Sequence, residues 1–413
     1  MSLFGRSADS RQWLAVTNFF MADVRDGLGA FLGVYLLSQS WQADDIGYVM
    51  TIGGLATMLA GVPAGALMDR THAKRLWLAV CAILMVVGCL LLLLCHSFAA
   101  IALSQAATGA VRAMIGPAIA SISLGLVGAR YLPRQLGQNE AWSHAGSLVS
   151  VSLAGVLGYF WGLSAVFILL AVMAVLALMC IRRIRPQEID YHAARGQEAH
   201  AAVSDSGRAV WRALFQSRPL LMLAVIMMLF HLSNAAMLPL LGQTMVAQGL
   251  VNASLFTALT VMIAQFVMIP MALLAGRYAE QFSYDRLVTL ALLALPVRGV
   301  IASSWNSPWA VIPVQLLDGV GAGLLGVALP GLVAKMLQGT GHFNVGLGFV
   351  LTIQGLGAAL SPAIAGWIAQ RYGYGMSFTW LTGFSVLALL LWSKQASRRA
   401  GQMADNNAEK MAG

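Results

Sequence analysis

The chain has 413 residues, 59% of them hydrophobic and 10% charged, with a formal net charge of +9 and a mean hydropathy of +0.76. That is far more apolar surface than one soluble core hides, which excludes an ordinary soluble domain. The basic excess does not mark a nucleic-acid binder, because the Arg and Lys residues are spread over short loops rather than gathered on one face.

Apolar runs of roughly 18 to 25 residues, each long enough to cross about 30 Å of hydrocarbon as a helix, recur along the whole length. About twelve are expected, which makes the chain an all-α integral membrane protein. The runs are continuous, without the short alternating segments of a β-barrel. Residues 1–12 precede the first span. Residues 13–182 carry six spans, 183–218 form a linker, 219–393 carry six more, and 394–413 are a tail. The first run has no small-residue cleavage pattern and leads straight into further spans, so no cleavable leader is expected.

Span one contains "NFFMADVRDGLGAFLGVYLL", Asn18 to Leu37, with Asp23, Arg25 and Asp26 inside an otherwise apolar or small run. A charge at mid-bilayer costs about 2.5–3.5 kcal/mol or more on insertion scales and is kept where it meets a partner or a wet cavity. Asp23 and Asp26 are three residues apart and share a helix face, whereas Arg25 points elsewhere. A fixed ion pair holding helices together is the competing reading. "GALMDRTHAKRL" (Gly65 to Leu76) follows span two, and Arg112 lies within span four.

The basic residues fall in alternate loops, with Arg371 the exception. Arg70, Lys74 and Arg75 follow span two, Arg130 and Arg134 follow span four, and a run from Arg182 to Arg218 follows span six. Arg277 and Arg286 come after span eight and Lys335 after span ten. By the positive-inside rule both termini and the central linker face the cytoplasm. Trp41, Trp161, Trp305 and Trp309 lie at the opposite span ends, where indole rings favour the interface. Within the linker, "PQEIDYHAARGQEAHAAVSDSG" is hydrophilic, and "RAVWRALFQSR" has the spacing of a surface-lying helix or of a plain solvated one.

In the second half, His231 and Asn234 fall near the middle of span seven, Gln265 in span eight, Asp318 in span ten and Gln354 in span eleven. With Asn18 these are the candidate solute-contacting residues. His231 reads more readily as a packing residue, and Asp318 as the static partner of Arg298 in span nine. Cys81, Cys89, Cys95 and Cys180 lie in or beside spans without metal-site spacing, so packing is their expected role and no metal is expected. No lysine follows a glycine, so there is no phosphate-binding loop, and neither HExxH nor a nucleophile elbow occurs. No cofactor is expected, and an enzyme is disfavoured.

"GRYAEQFSYDRL" (Gly276 to Leu287) repeats the loop after span two, with an acid four residues after the glycine and an Arg ten after it. The offset between the copies, about 211 residues, also carries Asp23 onto Asn234. Duplicated halves with polar residues at matching depths are the plan of a transporter.

"GALMDRTHAKR" resembles the signature loop between helices two and three of the major facilitator superfamily, with His72 where a Gly is usual. "RAMIGPAIAS", bearing Arg112, is similar to the helix-four motif of many proton-coupled members. "GSLVSVSLAGVLG" in span five matches the antiporter motif only in part, lacking its Pro. The resemblance implies twelve transmembrane helices in two pseudo-symmetric six-helix bundles, with helices one, four, seven and ten around a central cavity. It further implies a gate at Gly65, Asp69, Arg70, Lys74 and Arg75 and at Gly276, Glu280 and Arg286, and proton coupling through Asp26, Asp23 and Arg112. The expected function is secondary active transport of a small organic solute by alternating access, coupled to protons and directed outward, by a monomer in the cell (inner or plasma) membrane. A nutrient importer or uniporter of the same fold is the first alternative. A non-transporting membrane receptor or scaffold is the second.

Overall fold

A computed structural model describes residues 9–26, 28–95, 97–191, 217–337 and 343–412. Side chains are described for all of these except 62, 66, 69, 70, 129, 130, 132–134, 278–282, 334, 343–345 and 396–412. Most of the linker, including the "RAVWRALFQ" segment, therefore lies outside the described residues, as do the side chains of Asp69, Arg70 and Glu280.

The described residues are helical, with no strand. The first half comprises α1 (Ser10–Asp26), α2 (Phe31–Ser38), α3 (Ala43–Arg70), α4 (Lys74–Leu94), α5 (Phe98–Trp161) and α6 (Ala165–Arg183). The second comprises α7 (Arg218–Asn234), α8 (Met237–Ala247), α9 (Ala253–Phe282), α10 (Tyr284–Ser304), α11 (Val311–Met336), α12 (Phe343–Tyr372) and α13 (Tyr374–Ala412). The 64-residue α5 is two limbs joined at Gly128, whose φ of 68° only glycine adopts without strain. Among the described residues nine segments are long and apolar enough to cross a membrane. Expected spans one, two and five coincide with α1–α2, α3 and the second limb of α5, where charges, a helix break or polar residues dilute the apolar run. Large apolar side chains such as Leu103, Phe266 and Leu273 are more than 70% exposed. A surface of that kind suits lipid rather than water.

The repeat read from the sequence extends through the fold. Shifted by about 211 residues, α4 falls on 285–305 against α10 at 284–304, and α3 falls on 254–281 against α9 at 253–282. The packing repeats as well. In the first half α1 packs on α5 and α6, and α4 packs on the same two helices. In the second half α7 packs on α12 and α13, while α10 packs on α11 and α13.

The chain forms two compact units. One consists of Met1–Trp41, Tyr48–Ala202 and Val246–Met262, the other of Gln42–Gly47, Val203–Met245 and Ile263–Gly413. Each is held by close helix crossings at small residues. In the first unit, a Cβ at Gly146 would lie 2.7 Å from the Phe19 carbonyl carbon, and one at Gly155 would lie 2.5 Å from Ala258 Cβ. In the second, a Cβ at Gly357 would lie 2.9 Å from the Met228 carbonyl carbon, and one at Gly366 would lie 3.2 Å from Gly47 Cα. The 211-residue offset maps Gly146 onto Gly357, Gly155 onto Gly366 and Gly47 onto Ala258. The same small-residue crossings are thus used twice, where backbones approach too closely for side chains.

Two breaks matter most for function. Span one stops at Asp26 and resumes at Phe31, through a turn in which Gly29 has a φ of +47°. Span seven stops at Asn234 and resumes at Met237. Pro239, in the first turn of α8, has no N–H to offer the Ala235 carbonyl, so a continuous helix would lose a bond and acquire a clash there. The chain restarts instead.

A polar centre at each broken helix

A helix broken in hydrocarbon frees main-chain groups that must find partners. In the first unit Arg112 Nη2 donates to the Asp26 main-chain carbonyl at 2.8 Å. Sequence reasoning placed Arg112 on an Asp carboxylate. The guanidinium instead serves the carbonyl that the end of α1 leaves open. The Asp26 carboxylate takes Arg25 at 3.5 Å, so Arg25 does not point away from it as helix spacing implied. Both side chains are more than one-third exposed, and a pair of that kind contributes little. Asp23, one turn earlier, is less exposed, and the Ser150 hydroxyl on α5 donates to the Ser147 carbonyl of its own helix at 3.4 Å.

The second unit repeats the arrangement with different chemistry. The Ser361 hydroxyl on α12 accepts from the Ala236 amide, at the break of span seven, at 3.0 Å. Arg298 Nη1 donates to Asn234 Oδ1, and to Asp318 Oδ1 at 2.6 Å. The expected Arg298–Asp318 pair is therefore present, with Asn234 as a third member. The offset maps Asp23 onto Asn234 and Ser150 onto Ser361. The Ser361 hydroxyl supports the break of span seven, and Ser150 is its repeat-related counterpart.

Other candidates are distributed differently. His231 Nδ1 bonds the Met227 carbonyl of its own helix at 3.0 Å, and Asn18 Nδ2 bonds the Leu14 carbonyl at 2.8 Å. Both are satisfied locally, which is the packing reading for His231. Gln265 is half-buried. Gln354 has a buried Oε1 without a hydrogen-bond partner. Sequence reasoning passed over Ser150, Ser361, Ser233 and Gln315. The last is wholly buried, three residues before Asp318 on α11, and neither its Nε2 nor its Oε1 has a partner. Spacing from Asp318 was the available signal for Gln315. The serines carry none beyond their repeat-related numbering.

At the signature loop, Lys74 is fully buried and its Nζ donates to the Met68 carbonyl near the end of α3. Arg75 donates to the Ile181 carbonyl at 3.0 Å and to Arg182 at 3.2 Å, closing the end of α6. These cations occupy helix C-termini, where the dipole and open carbonyls favour them. Sequence reasoning assigned them to a gating charge network and Gly65 to a close helix approach. A Cβ at Gly65 or Gly276 would meet nothing within 4 Å, so neither glycine is at a close crossing here. Arg286 is exposed in the first turn of α10. Among the described residues no cluster of side chains could hold a metal ion.

Residues 14–305 match the family model described as Major Facilitator Superfamily. An uncharacterized MFS-type transporter of Mycobacterium tuberculosis is 36% identical over 380 residues, covering 92% of this chain and 91% of that protein. Among solved structures, a nucleoside transporter aligns with a TM-score of 0.77 at 14% identity, covering 94% of this chain and all of the other. A bacterial homologue of the human lysosomal transporter Spinster, in an inward-facing and unoccupied conformation, gives 0.77 at 14% identity over 95% and 98% of the two chains. A D-xylose–proton symporter gives 0.68 at 12% identity over 93% and 95%. At such identities these structures speak for the fold. Together with the family model and the 36% identical relative, they show that this chain is a multi-pass membrane transporter of secondary type belonging to the Major Facilitator Superfamily.

Proposed function

We propose that the protein moves a small organic solute by alternating access and couples that movement to protons, outward across the cell membrane with both termini on the cytoplasmic side. The observation that carries this reading is the pair of repeat-related polar centres at the broken spans one and seven. Discontinuous helices in matching positions of two repeats are where transporters of duplicated architecture bind solute and coupling ions.

The two centres divide the work. The first holds two carboxylates, of which Asp23 is the less exposed. It is the group we assign to proton exchange, with Asp26 second and Arg112 supporting the main-chain carbonyl of Asp26. This reverses the order read from the sequence, because the Asp26 carboxylate is open and already paired with Arg25. A carboxylate whose surroundings wet and dry as the protein alternates exchanges its proton with whichever compartment it faces. The second centre, with Asn234, Arg298 and Asp318, offers fixed donors and acceptors for a polar solute. The importer and uniporter alternatives use the same centres in other directions.

Proton release or uptake on solute addition to the detergent-solubilised protein tests the assignment. The wild type should shift the pH of a weakly buffered sample. Asp23→Asn should not, while still folding and binding solute. An unchanged shift in both Asp23→Asn and Asp26→Asn returns these charges to packing.

A further inference from the structure

Both limbs of α5 hold α1. From the first limb Arg112 Nη2 reaches the Asp26 carbonyl at 2.8 Å, and on the second limb the bare Gly146 lets the helix close on the Phe19 main chain. The limbs meet at the Gly128 elbow. About 24 Å of helix separates Arg112 from that elbow, so a rotation of about 5° there would carry the guanidinium by about 2 Å, enough to break its hydrogen bond. The end of α1 therefore depends on whatever fixes the elbow.

Two independent sets of bonds do so. One is a buried bridge between the limbs, in which Asn139 Nδ2 donates to Ser123 Oγ at 2.8 Å and Gln135 Nε2 donates to Asn139 Oδ1 at 2.9 Å. The other comes from the chain that follows α6. There the Asp190 N–H donates to the Gly125 carbonyl at 2.8 Å. Gly125 lies in the last turn before the elbow, among the carbonyls that a helix leaves open at its end. The segment that delivers this bond is itself anchored. Ile184 and Ile189 are buried, the Arg185 N–H donates to Ser10 Oγ at 3.0 Å, and the Glu188 carboxylate accepts from the Ser10 amide at 3.3 Å. The Tyr191 ring meets that of His72, in the signature loop, with 5.5 Å between centroids. A plain tether needs none of these contacts, and ordering it costs conformational entropy.

We propose that residues 186–191 form a strap that sets the angle of the α5 elbow, and that through α5 the strap positions Arg112 on the end of α1. The working group is the Asp190 main-chain amide. The start of the linker thereby controls the break of span one without touching it. A partner or a cut that pulls the strap off Gly125 would loosen the elbow and uncover the Asp26 carbonyl. This holds whichever solute is carried and whichever carboxylate takes the proton.

The test is hydrogen–deuterium exchange on the purified full-length protein, read at the elbow (residues 125–131) and at the turn after α1 (residues 28–31). Asp190→Pro deletes the N–H, and Ile189 already has the extended backbone (φ −94°, ψ 112°) that a following proline requires. It should speed exchange about fivefold or more at both places, because local opening exposes the amides that each contact protects. Asp190→Ala keeps the N–H and should match the wild type. Arg112→Gln should speed exchange at residues 28–31 alone, and adding Asp190→Pro to it should bring no further change there, since the two act along one path. Should Asp190→Pro fold poorly, Ser123→Ala, which removes the acceptor of the bridge between the limbs, should give the same response at both places. Faster exchange at the elbow with residues 28–31 unchanged, no change at either place, equal acceleration by Asp190→Ala, or additive effects of Asp190→Pro and Arg112→Gln at residues 28–31 would overturn the proposal. No solute or proton gradient enters this experiment, so its failure leaves the proton-coupling reading standing, and the failure of that reading leaves the strap.

Discussion

Replacing Gly146 by Ala probes the crossing of α1 and α5 that carries the first polar centre. The new Cβ would sit 2.7 Å from the Phe19 carbonyl carbon and 2.9 Å from Phe19 Cα, and would overlap the carbonyl oxygen. Carbon atoms rest about 3.5–4.0 Å apart, so the helices must separate by roughly 1 Å, and a gap of that size forfeits a quarter to a half of the dispersion energy along the crossing. Neither contacting atom is the end of a flexible side chain, so the strain cannot be relieved by a rotamer change. Overpacking of this kind costs about 1–3 kcal/mol. At roughly 2–4 °C per kcal/mol for a unit of 150–250 residues, the melting temperature should fall by about 2–12 °C. Trp142, whose ring lies 6.2 Å from that of Phe19, reports the loss through its fluorescence. Gly61→Ala, where a Cβ meets nothing within 4 Å, is the control and should be neutral or slightly stabilising. Equal melting temperatures for Gly146→Ala and wild type would refute the claim that this crossing needs a bare backbone.

Gly357→Ala should behave like Gly146→Ala, since its Cβ would lie 2.9 Å from the Met228 carbonyl carbon, and a fall confined to one of the two variants in thermal unfolding would break the repeat argument. Asp318→Ala leaves Arg298 buried with Asn234 as its remaining partner and should cost about 3–5 kcal/mol, whereas Arg298→Met combined with Asp318→Leu should recover most of it; a double variant no more stable than the single one contradicts the pairing. Outside the membrane, Glu188 accepts from the Ser10 amide at the start of α1 and pairs with Arg185 at 3.2 Å. The bond with the Ser10 side chain, then the other contacts, hold its carboxyl below the ordinary glutamate range of about 4.3. A lowered folded-state value means the anchoring is present above that range and lost as pH falls through the lower value. Amide protection at the start of α1 should accordingly persist through the ordinary glutamate range and fall only below it, and Glu188→Gln should show the reduced protection already at neutral pH.

The sequence carried the large-scale plan well, because membrane spans leave long apolar runs and because duplication leaves an offset. The offset found between Gly65 and Gly276 also pairs Gly146 with Gly357 and Ser150 with Ser361, which no single motif announces. The helix breaks were visible in principle. Gly27 and Gly29 beside Asp26, and Pro239 five residues after Asn234, are ordinary interruption signals. They were passed over because the charges drew a reading in terms of side-chain pairs. Helical spacing then mispredicted Arg25, since the helix ends at Asp26 and spacing rules end with it. Arg112, Lys74 and Arg75 all turned out to serve main-chain carbonyls. A sequence does not display such acceptors, because every residue carries one and only the fold decides which are left open. Arg298 was legible as a partner for Asp318. The unpartnered Nε and Nη2 of its guanidinium were not, since they depend on which nitrogen the partners occupy.

The central claim, that carboxylates at the break of span one link protons to solute movement, is tested most directly in proteoliposomes. Solute accumulation under an imposed proton gradient and gradient-free solute exchange are measured side by side for wild type, Asp23→Asn and Asp26→Asn. The account predicts that Asp23→Asn loses gradient-driven accumulation and keeps exchange, because the solute centre at the break of span seven is untouched. Full accumulation by both variants, or loss of exchange together with accumulation in a well-folded Asp23→Asn protein, would contradict it.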